Sequence, residues 1–509
     1  MSNTLIISVI IIYFLVLLFI AWLTSRKADN STFFLGEKKS PWYIVSFGMI
    51  GASLSGVTFI SVPGWVGNEA NQFSYMQAVF GYLIGYFVVA YVLMPIYYKM
   101  NLTSIYEYLK ERFGNWSYKT GASFFLASRV IGASVRLLLV ANILQSILFD
   151  DWGIPFWVTV VISVLLIWIY TNKGGIKTII WTDTLQTSFM LIAVVFTVWL
   201  ISDALGLSEK EGLVTAVSNS GYSQIFFFDN IMGSNHFLKH FLGGMFITIG
   251  MTGLDQDMMQ KNLSCKNIKE AQKNMITMAG VLVVVNLIFL GLGALLYMYA
   301  EKTGLGSGIK GDLLFSSIAM DESTGSVIGI LFLLGLIAAA YSSADSALTS
   351  LTTSFSIDFM GLKSKVKEQQ EKIRKWVHVG VSVVIILTVI ILKYSTEESA
   401  IGLLMKFAGF TYGPLIGLFF FGILTKRDLH DKLVVVVCLL VPITIGVLWY
   451  FSAGAPGVAN ILNKKGELIK EMPGVFGYYK FGFEIIIYNA LLSFGALFLI
   501  SKRNPNALN

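Results

Sequence analysis

The stretch from Gly335 to Asp358, GLIAAAYSSADSALTSLTTSFSID, places a carboxylate and a series of hydroxyls inside a hydrophobic segment. At about 3.6 residues per turn, one face of a helix would carry four of these side chains: Ser342, Asp345, Ser346 and Thr349. Hard oxygen ligands of this kind suit a small dehydrated cation. An ionisable group at membrane depth costs roughly 2.5 to 3.5 kcal/mol and usually marks an ion or substrate path. The alternative is that the hydroxyls only let helices pack closely.

Two arginines form a second group of residues that could do chemistry. In ASRVIGASVRLLLVANILQ, Arg129 and Arg136 are seven residues apart and therefore share a helix face. A guanidinium presents a planar fork that binds a carboxylate through two hydrogen bonds, so the pair predicts an anionic substrate. The alternative is that the arginines are structural counter-ions of Asp255, Asp257 or Asp345.

The elements that hold these residues must lie in a membrane. Of the 509 residues, 55% are hydrophobic and 13% are charged, and the mean hydropathy is +0.71. This composition excludes an ordinary soluble protein. The net charge of +7 comes from basic residues spread over short loops, which argues against nucleic-acid binding. The two cysteines, Cys265 and Cys438, imply neither a disulfide framework nor a metal site.

Apolar stretches long enough to cross a bilayer predict thirteen transmembrane helices. They lie near residues 4–24, 43–66, 73–98, 120–149, 153–170, 178–202, 237–257, 275–300, 326–357, 376–393, 400–424, 432–452 and 482–501. We interpret the first as a retained helix, because no positive charge precedes it and no small-residue cleavage site follows it. The loops between the spans are too short for a catalytic module.

The basic residues predict the orientation of the chain. With the N-terminus outside, the odd-numbered connections hold most of the lysines and arginines, including Lys261 and the run from Lys363 to Lys375. The even-numbered connections hold several acids, among them Asp150, Asp151 and Asp203. The positive-inside rule therefore predicts an external N-terminus and a cytoplasmic C-terminus.

Two of the predicted spans contain helix-breaking residues. The second, SFGMIGASLSGVTFISVPGWVG, has Gly, Ser and Thr through its middle and is closed by Pro63 and Gly64, so we expect it to unwind. The seventh, HFLGGMFITIGMTGLDQDMMQ, contains four glycines. Because these spans are five apart, the units that they begin enter the membrane in opposite directions, as in an inverted five-plus-five repeat whose unwound backbone binds ions and substrate. The alternative is that the glycines only permit close packing.

Several motifs, in order along nearly the whole chain, resemble the sodium/solute symporter family, which has the inverted-repeat fold first seen in LeuT. The motifs are STFFLGEKKSPW, TNKGGIKTIIWTDTLQ, QKNLSCKNIKEAQK and TYGPLIGLFFFGILTKR. The resemblance implies an all-α membrane protein with one transporter domain over 1–509. Its parts would be an extra N-terminal helix at 4–24, five-helix repeats at 43–202 and 237–424, and two C-terminal helices at 432–501.

The resemblance also implies sodium as the coupling ion. The conserved site of the family would use backbone carbonyls near the break in the second span and groups of the ninth span: Gly51, Leu54, Ala339, Ser342 and Ser343. A second site, found in some members, would use Asp183 of the Trp-Thr-Asp motif together with Ser346 and Asp345. Two alternatives remain open: that Asp183 is a helix cap or a loop-facing acid, and that Asp183 or Asp345 couples transport to protons.

One segment, SLSGVTFISVPG, resembles bacterial sialic acid symporters in this family. The resemblance implies a pocket for a sugar acid, whose carboxylate Arg129 would hold, lined by Ser53, Ser55, Thr58, Phe73 and Gln77. Arg136 and Asp255 depart from that pattern and are further candidates for substrate binding. We predict import of a carboxylate such as sialic acid, and the alternative is a neutral sugar, polyol or amino acid.

A membrane-embedded enzyme is the competing class. His236 and His240 have the spacing of two metal ligands, but no HExxH pattern surrounds them. We therefore expect no enzymatic activity. The expected partners are a small solute and the lipid bilayer of a bacterial inner membrane, without nucleic acid, and the expected assembly is a monomer or a weak oligomer.

Overall fold

The computed structural model describes residues 3–25, 30–68, 71–207, 212–306, 308–309, 311–395, 400–458, 461–462, 468–470 and 472–503. Its α-helices are α1 (Asn3–Ser25), α2 (Asn30–Leu35), α3 (Trp42–Trp65), α4 (Tyr75–Val88), α5 (Met94–Lys99), α6 (Glu107–Arg112), α7 (Asn115–Leu144), α8 (Phe156–Leu205), α9 (Leu213–Asn219), α10 (Phe237–Thr248), α11 (Gln256–Leu263), α12 (Ile268–Thr303), α13 (Leu314–Met320), α14 (Ser326–Ser354), α15 (Lys367–Ser395), α16 (Ala400–Leu424), α17 (Asp431–Tyr450) and α18 (Ile485–Leu499). Short π-helical turns follow four of them, at Val89–Leu93, Gln145–Phe149, Ile249–Gly253 and Phe355–Phe359.

Two small antiparallel strand pairs accompany the helices. Strand β1 (Arg427–Leu429) pairs with β4 (Ser501–Arg503) and so joins the ends of α16 and α18. Strand β2 (Ile461–Leu462) pairs with β3 (Leu468–Lys470). Leu429 of β1 is buried in the hydrophobic core.

Ten helices of the described chain are long and apolar enough to cross a membrane, or eleven when α10 and α11 count as one bent span. Three shorter apolar helices lie at Phe156–Asn172, Gly311–Met320 and Ile485–Leu499. The first and third of these coincide with predicted spans. The all-α membrane fold is confirmed, whereas the total of thirteen spans stays a prediction.

The predicted break in the second span lies at Ser55 of α3. Its backbone is non-helical, with φ of 55° and ψ of 173°. A positive φ at a residue other than glycine costs on the order of 1–2 kcal/mol, so the surrounding packing must hold this conformation. Next to the break, a Cβ built on Gly56 would lie 3.3 Å from Cγ2 of Val140 in α7 and 3.6 Å from Cα of Ala340 in α14, so the chain there is in direct contact with both helices. The break in α3 is therefore fixed against the middle of α14.

The predicted break in the seventh span lies between α10 and α11. A π-helical turn ends at Gly253, and the chain bends by 62° before α11 begins. Asp255 caps α11, since its Oδ1 accepts hydrogen bonds from the backbone nitrogens of Asp257 and Met258 at 2.9 and 3.4 Å. Earlier in the span, Gly244 lies directly against the backbone of α4. That glycine serves close packing, whereas the break itself falls at the end of the glycine-rich stretch.

A joint at Gly175 divides α8 into the two spans that the sequence predicts there. Gly175 has φ of 52° and ψ of −135°, and a Cβ at this position would lie 2.5 Å from the ring of Phe33. Glycine is therefore required by both conformation and space. The second half of α8 runs past α3 and α14 and brings Asp183 into the interior.

Candidate ion and substrate sites

An ion pair between Lys261 and Asp183 lies in the polar interior of the bundle. Nζ of Lys261 is 2.7 Å from Oδ2 of Asp183 and donates another hydrogen bond of 2.7 Å to Oγ of Ser346. The exposed fractions of Lys261 and Asp183 are 1% and 0%. The other carboxylate oxygen of Asp183 accepts a hydrogen bond of 2.6 Å from Oγ of Ser342. Two residues predicted as ligands of a second sodium therefore surround an ammonium group.

Asp183 and Asp345 have different surroundings in the structure. Asp183 lies within α8, eight residues after the joint at Gly175, so it neither caps a helix nor faces a loop. Asp345 is equally buried, but its Oδ2 accepts a hydrogen bond of 2.9 Å from the hydroxyl of Tyr170. The structure thus joins Asp183 with Ser346 through Lys261 and directs Asp345 toward Tyr170.

The residues predicted for the conserved sodium site lie on two adjacent helices. All five are buried: Gly51, Leu54, Ala339, Ser342 and Ser343. Oγ of Ser343 donates a hydrogen bond of 3.4 Å to the carbonyl of Ala339, so these two predicted ligands are in contact. The break in α3 approaches α14 at Ala340, one residue beyond Ala339. Hydroxyls and carbonyls of this kind are the hard oxygen ligands that a sodium ion requires.

A central cavity of about 100 Å³ lies beside the break in α3. Five residues predicted to bind substrate line it: Ser53, Ser55, Thr58, Arg129 and Arg136. The hydroxyl of Tyr86 also lines the cavity, 3.1 Å from Oγ of Ser53. Apolar side chains complete the lining, among them Ile247, Met251, Leu404 and Met405. A small site with convergent polar groups and an apolar wall is typical of a ligand site.

The two arginines of α7 differ in their partners. Arg129 forms an ion pair and a hydrogen bond with Oδ2 of Asp257, and its Nη1 lies 3.9 Å from Oδ2 of Asp255. Arg136 has neither kind of partner among the described residues, and its Nε and Nη1 are buried without a hydrogen bond. Only Arg136 therefore presents a guanidinium to the cavity without a carboxylate beside it.

Three residues predicted to bind substrate do not line the central cavity. Phe73 lines a separate apolar cavity. Gln77 uses its amide within the protein, because it donates to the carbonyl of Asn235 at 3.0 Å and accepts from the backbone nitrogen of Phe227 at 3.1 Å. Asp255 faces Arg129 and accepts a hydrogen bond of 2.5 Å from Tyr412. In this conformation, existing hydrogen bonds and ion pairs occupy the polar groups of Gln77 and Asp255.

Sequence reasoning placed Lys261 among the basic residues of a connection, and this was wrong. Lys261 is a buried residue of α11, because the bend after Gly253 turns this helix back into the protein. The i, i+4 spacing of Asp257 and Lys261, whose charged atoms are 4.0 Å apart, was a usable signal. Sequence reasoning also missed Tyr170 and Tyr86, because buried tyrosines are common in apolar spans and carry no distinctive pattern.

Broken membrane helices, buried hydroxyls and carbonyls near one of the breaks, and a central cavity are together typical of a secondary transporter. The family model of the sodium:solute symporter family matches residues 33–429. The chain therefore belongs to the sodium:solute symporter family, and the predicted family is confirmed. It is a membrane-embedded symporter that couples the transport of a solute to sodium.

Curated relatives cover most of the chain. The sodium/sialic acid symporter NanT of Aliivibrio fischeri is 26% identical over 446 residues, which are 84% of each chain. The sodium/sialic acid symporter SiaT of Proteus mirabilis is 25% identical over 80% of this chain and 82% of its own length. Sodium-coupled monocarboxylate transporter 1 of Mus musculus is 25% identical over 80% of this chain and 66% of its own length. All three of these relatives are transporters of organic acids.

A solved structure of a Na⁺-coupled sialic acid symporter, substrate-bound and outward-open, has the same fold. It superposes with a TM-score of 0.80 at 22% identity and covers 98% of this chain and 99% of its own. Mhp1, a nucleobase-cation-symport-1 family transporter in a closed conformation, superposes with a TM-score of 0.53 at 14% identity and covers 93% of this chain and 94% of its own. These similarities confirm the predicted inverted-repeat transporter fold.

Proposed function

We propose that this protein imports an organic carboxylate with sodium by alternating access, and that Arg136 binds the carboxylate group. The observation that carries the proposal is the unpaired guanidinium of Arg136 at the wall of the central cavity. A buried guanidinium without a carboxylate beside it is costly, and an anionic ligand that enters the cavity supplies the missing partner. The transport of organic acids by the curated relatives supports the same substrate class.

Arg129 acts as a structural residue in this proposal. Its guanidinium already faces the two carboxylates of Asp257 and Asp255. Binding a substrate carboxylate there would require the breaking of a buried ion pair, which costs several kcal/mol. Arg136, which lies two turns further along α7, binds substrate without that cost. We therefore assign the role of structural counter-ion to Arg129 and the role of substrate ligand to Arg136.

Two kinds of organic acid are candidates, and the cavity gives a criterion between them. Sialic acid is the first, because two of the relatives carry it in their names and the hydroxyls of Ser53, Thr58 and Tyr86 suit a polyhydroxylated ligand. A short monocarboxylate is the second. The cavity volume of about 100 Å³ lies below the roughly 300–1,000 Å³ of sites for larger ligands, so a sugar acid would need a wider outward-open state.

Sodium would bind between α3 and α14 and hold the outward pocket in shape. The predicted ligands are the carbonyls of Gly51, Leu54 and Ala339 and the hydroxyls of Ser342 and Ser343. Because these residues come from the break of one helix and the middle of another, an ion there would tie the two helices together. Each sodium that moves inward across a potential of about 100 mV contributes roughly 2.3 kcal/mol to transport.

A second cavity of about 550 Å³ would serve as the outer vestibule. It is lined by Trp65, Asn68, Tyr297 and Asp312, and Ile401 lines both this cavity and the central one. With the N-terminus outside, α3 runs outward and its end at Trp65 faces the external medium. The remaining parts of the proposal are the two five-helix repeats, residence in a bacterial inner membrane, a monomeric or weakly oligomeric state, and the absence of enzymatic activity and nucleic-acid binding.

A thermal-shift screen of the purified protein tests the substrate class. The panel contains sialic acid, short monocarboxylates, neutral sugars and amino acids, each in sodium and in potassium. A ligand that binds only the native state raises the melting temperature with its occupancy. We expect the largest rise for a carboxylate in sodium and no such rise for the Arg136→Gln variant. A rise with a neutral sugar alone, unchanged in Arg136→Gln, would support the neutral-solute alternative and refute the role of Arg136.

A further inference from the structure

The ammonium of Lys261 lies beside two residues, Asp183 and Ser346, that the family resemblance predicts as ligands of a second sodium. It lies among oxygen atoms of three different groups: 2.7 Å from Oδ2 of Asp183, 2.7 Å from Oγ of Ser346 and 4.0 Å from Oδ1 of Asp257. The two distances of 2.7 Å, to Asp183 and Ser346, are typical of charge-assisted hydrogen bonds. The predicted ligands of a second sodium therefore already bind a cation of the protein itself.

We propose that Lys261 is a tethered cation that replaces a second sodium, and that the protein therefore binds and transports one sodium ion per cycle. This inference rests on the proposed sodium-coupled transport. A mobile sodium at the same place would lie beside the ammonium inside the protein, where two like charges repel one another far more strongly than in water. Lysine and sodium therefore exclude one another at Asp183.

The tethered cation also links the helix after the second break to the predicted site of the first sodium. Lys261 lies on α11, directly after the second break, and Asp183 lies on α8. Asp183 in turn accepts the hydrogen bond of Ser342, a predicted ligand of the conserved sodium. Lys261 thereby holds the carboxylate that positions Ser342, so its charge acts on the first sodium site through one intervening residue.

Removal of the lysine side chain should open the second site. In Lys261→Ala, the carboxylate of Asp183 and the hydroxyls of Ser342 and Ser346 lose their internal cation and become ligands for a sodium ion. The matched control is Lys261→Arg, which keeps a cation at the end of the side chain. A second control, Lys261→Ala with Asp183→Asn, removes both charges and with them the reason for a second ion to bind.

Equilibrium binding of radioactive sodium to the purified full-length protein tests the inference without knowledge of the substrate. We expect one bound sodium per chain for the unaltered protein and for Lys261→Arg, two for Lys261→Ala, and one for the double variant. Two bound sodium ions in the unaltered protein would overturn the inference and leave the sodium-coupled function intact. Binding of no sodium would overturn that function and the inference with it. If Lys261→Ala does not fold, the count for the unaltered protein still decides.

Discussion

Arg129 of α7 and Asp257 of α11 form a buried ion pair that joins the first half of the chain to the bend in the second. Asp257 lies directly after the break, and the neighbouring Asp255 caps the same helix while it faces the same arginine. The pair therefore holds α11 at its bend of 62°. Both arginines of α7 line the central cavity, but Arg129 is paired with a carboxylate, whereas Arg136 has no ion pair among the described residues.

Loss of Arg136 should affect ligand binding more than folding. We expect Arg136→Gln to retain a melting temperature close to that of the unaltered protein, because Arg136 has no ion pair among the described residues to lose. The rise in melting temperature on addition of the carboxylate should disappear. A carboxylate response of full size in Arg136→Gln would contradict the proposed anchor.

Loss of Arg129, the arginine paired with Asp257, should affect folding more than ligand binding. Arg129→Gln leaves Asp255 without its cation and Asp257 with only the ammonium of Lys261 at 4.0 Å, and breaking a buried pair in this way costs about 3–5 kcal/mol. We expect a marked fall in melting temperature. Arg129→Gln combined with Asp257→Asn should recover part of this loss, and an equally unstable double variant would show that the pair is not the cause.

The hydroxyl of Ser343 should contribute to sodium affinity. We expect Ser343→Ala to raise the sodium concentration for half-maximal stabilisation by about tenfold, which corresponds to roughly 1.4 kcal/mol. Ser350→Ala is the matched control, because Ser350 is a buried serine of the same helix whose hydroxyl only bonds the carbonyl of Ala347. Equal effects of the two substitutions on sodium affinity would argue against a site at Ser343.

The conformation of Ser55 predicts an unusual order of stability. Glycine adopts a φ of 55° without steric cost, whereas a β-branched side chain is a severe outlier there. We therefore expect Ser55→Gly to melt at or above the temperature of the unaltered protein, and Ser55→Val to melt well below it. If both variants melted at the same temperature, the left-handed conformation at this break would be refuted.

The tethered cation predicts the charge moved in each transport cycle. One sodium transported with one monoanionic carboxylate carries no net charge, so addition of substrate should produce sodium flux without membrane current. In Lys261→Ala, a second sodium should make the same substrate produce an inward current. Voltage-clamp recording or a solid-supported membrane assay measures both, and a substrate-induced current in the unaltered protein would contradict this stoichiometry.

Sequence reasoning identified the fold and could predict residues for the first ion site because both depend on local patterns. The hydroxyls from Ser342 onward interrupt an apolar helix, and the small residues around Ser55 weaken another, so each is visible without tertiary information. The Trp-Thr-Asp motif also singled out Asp183, which is buried in the structure.

Other parts of the site depend on how distant elements meet. The sequence alone predicts Lys261 to be a loop residue. In the structure, the bend after Gly253 returns its helix to the interior. The proposed division of roles between Arg129 and Arg136 depends on which of them contacts α11. The positions of the two arginines on one face of α7 give no information on that contact. The family resemblance implied Phe73 and Gln77, yet in this conformation they bond the loop between α9 and α10 and do not line the central cavity.

Uptake into proteoliposomes tests the central claim most directly. Purified protein is reconstituted, and accumulation of radiolabelled sialic acid and of a short monocarboxylate is measured under an inward sodium gradient and under an equal potassium gradient. We expect one of these carboxylates to accumulate above its external concentration in sodium only, and accumulation to fail in Arg136→Gln. Uptake that is equal in sodium and potassium, or that remains undiminished in Arg136→Gln, would contradict sodium-coupled carboxylate transport through this site.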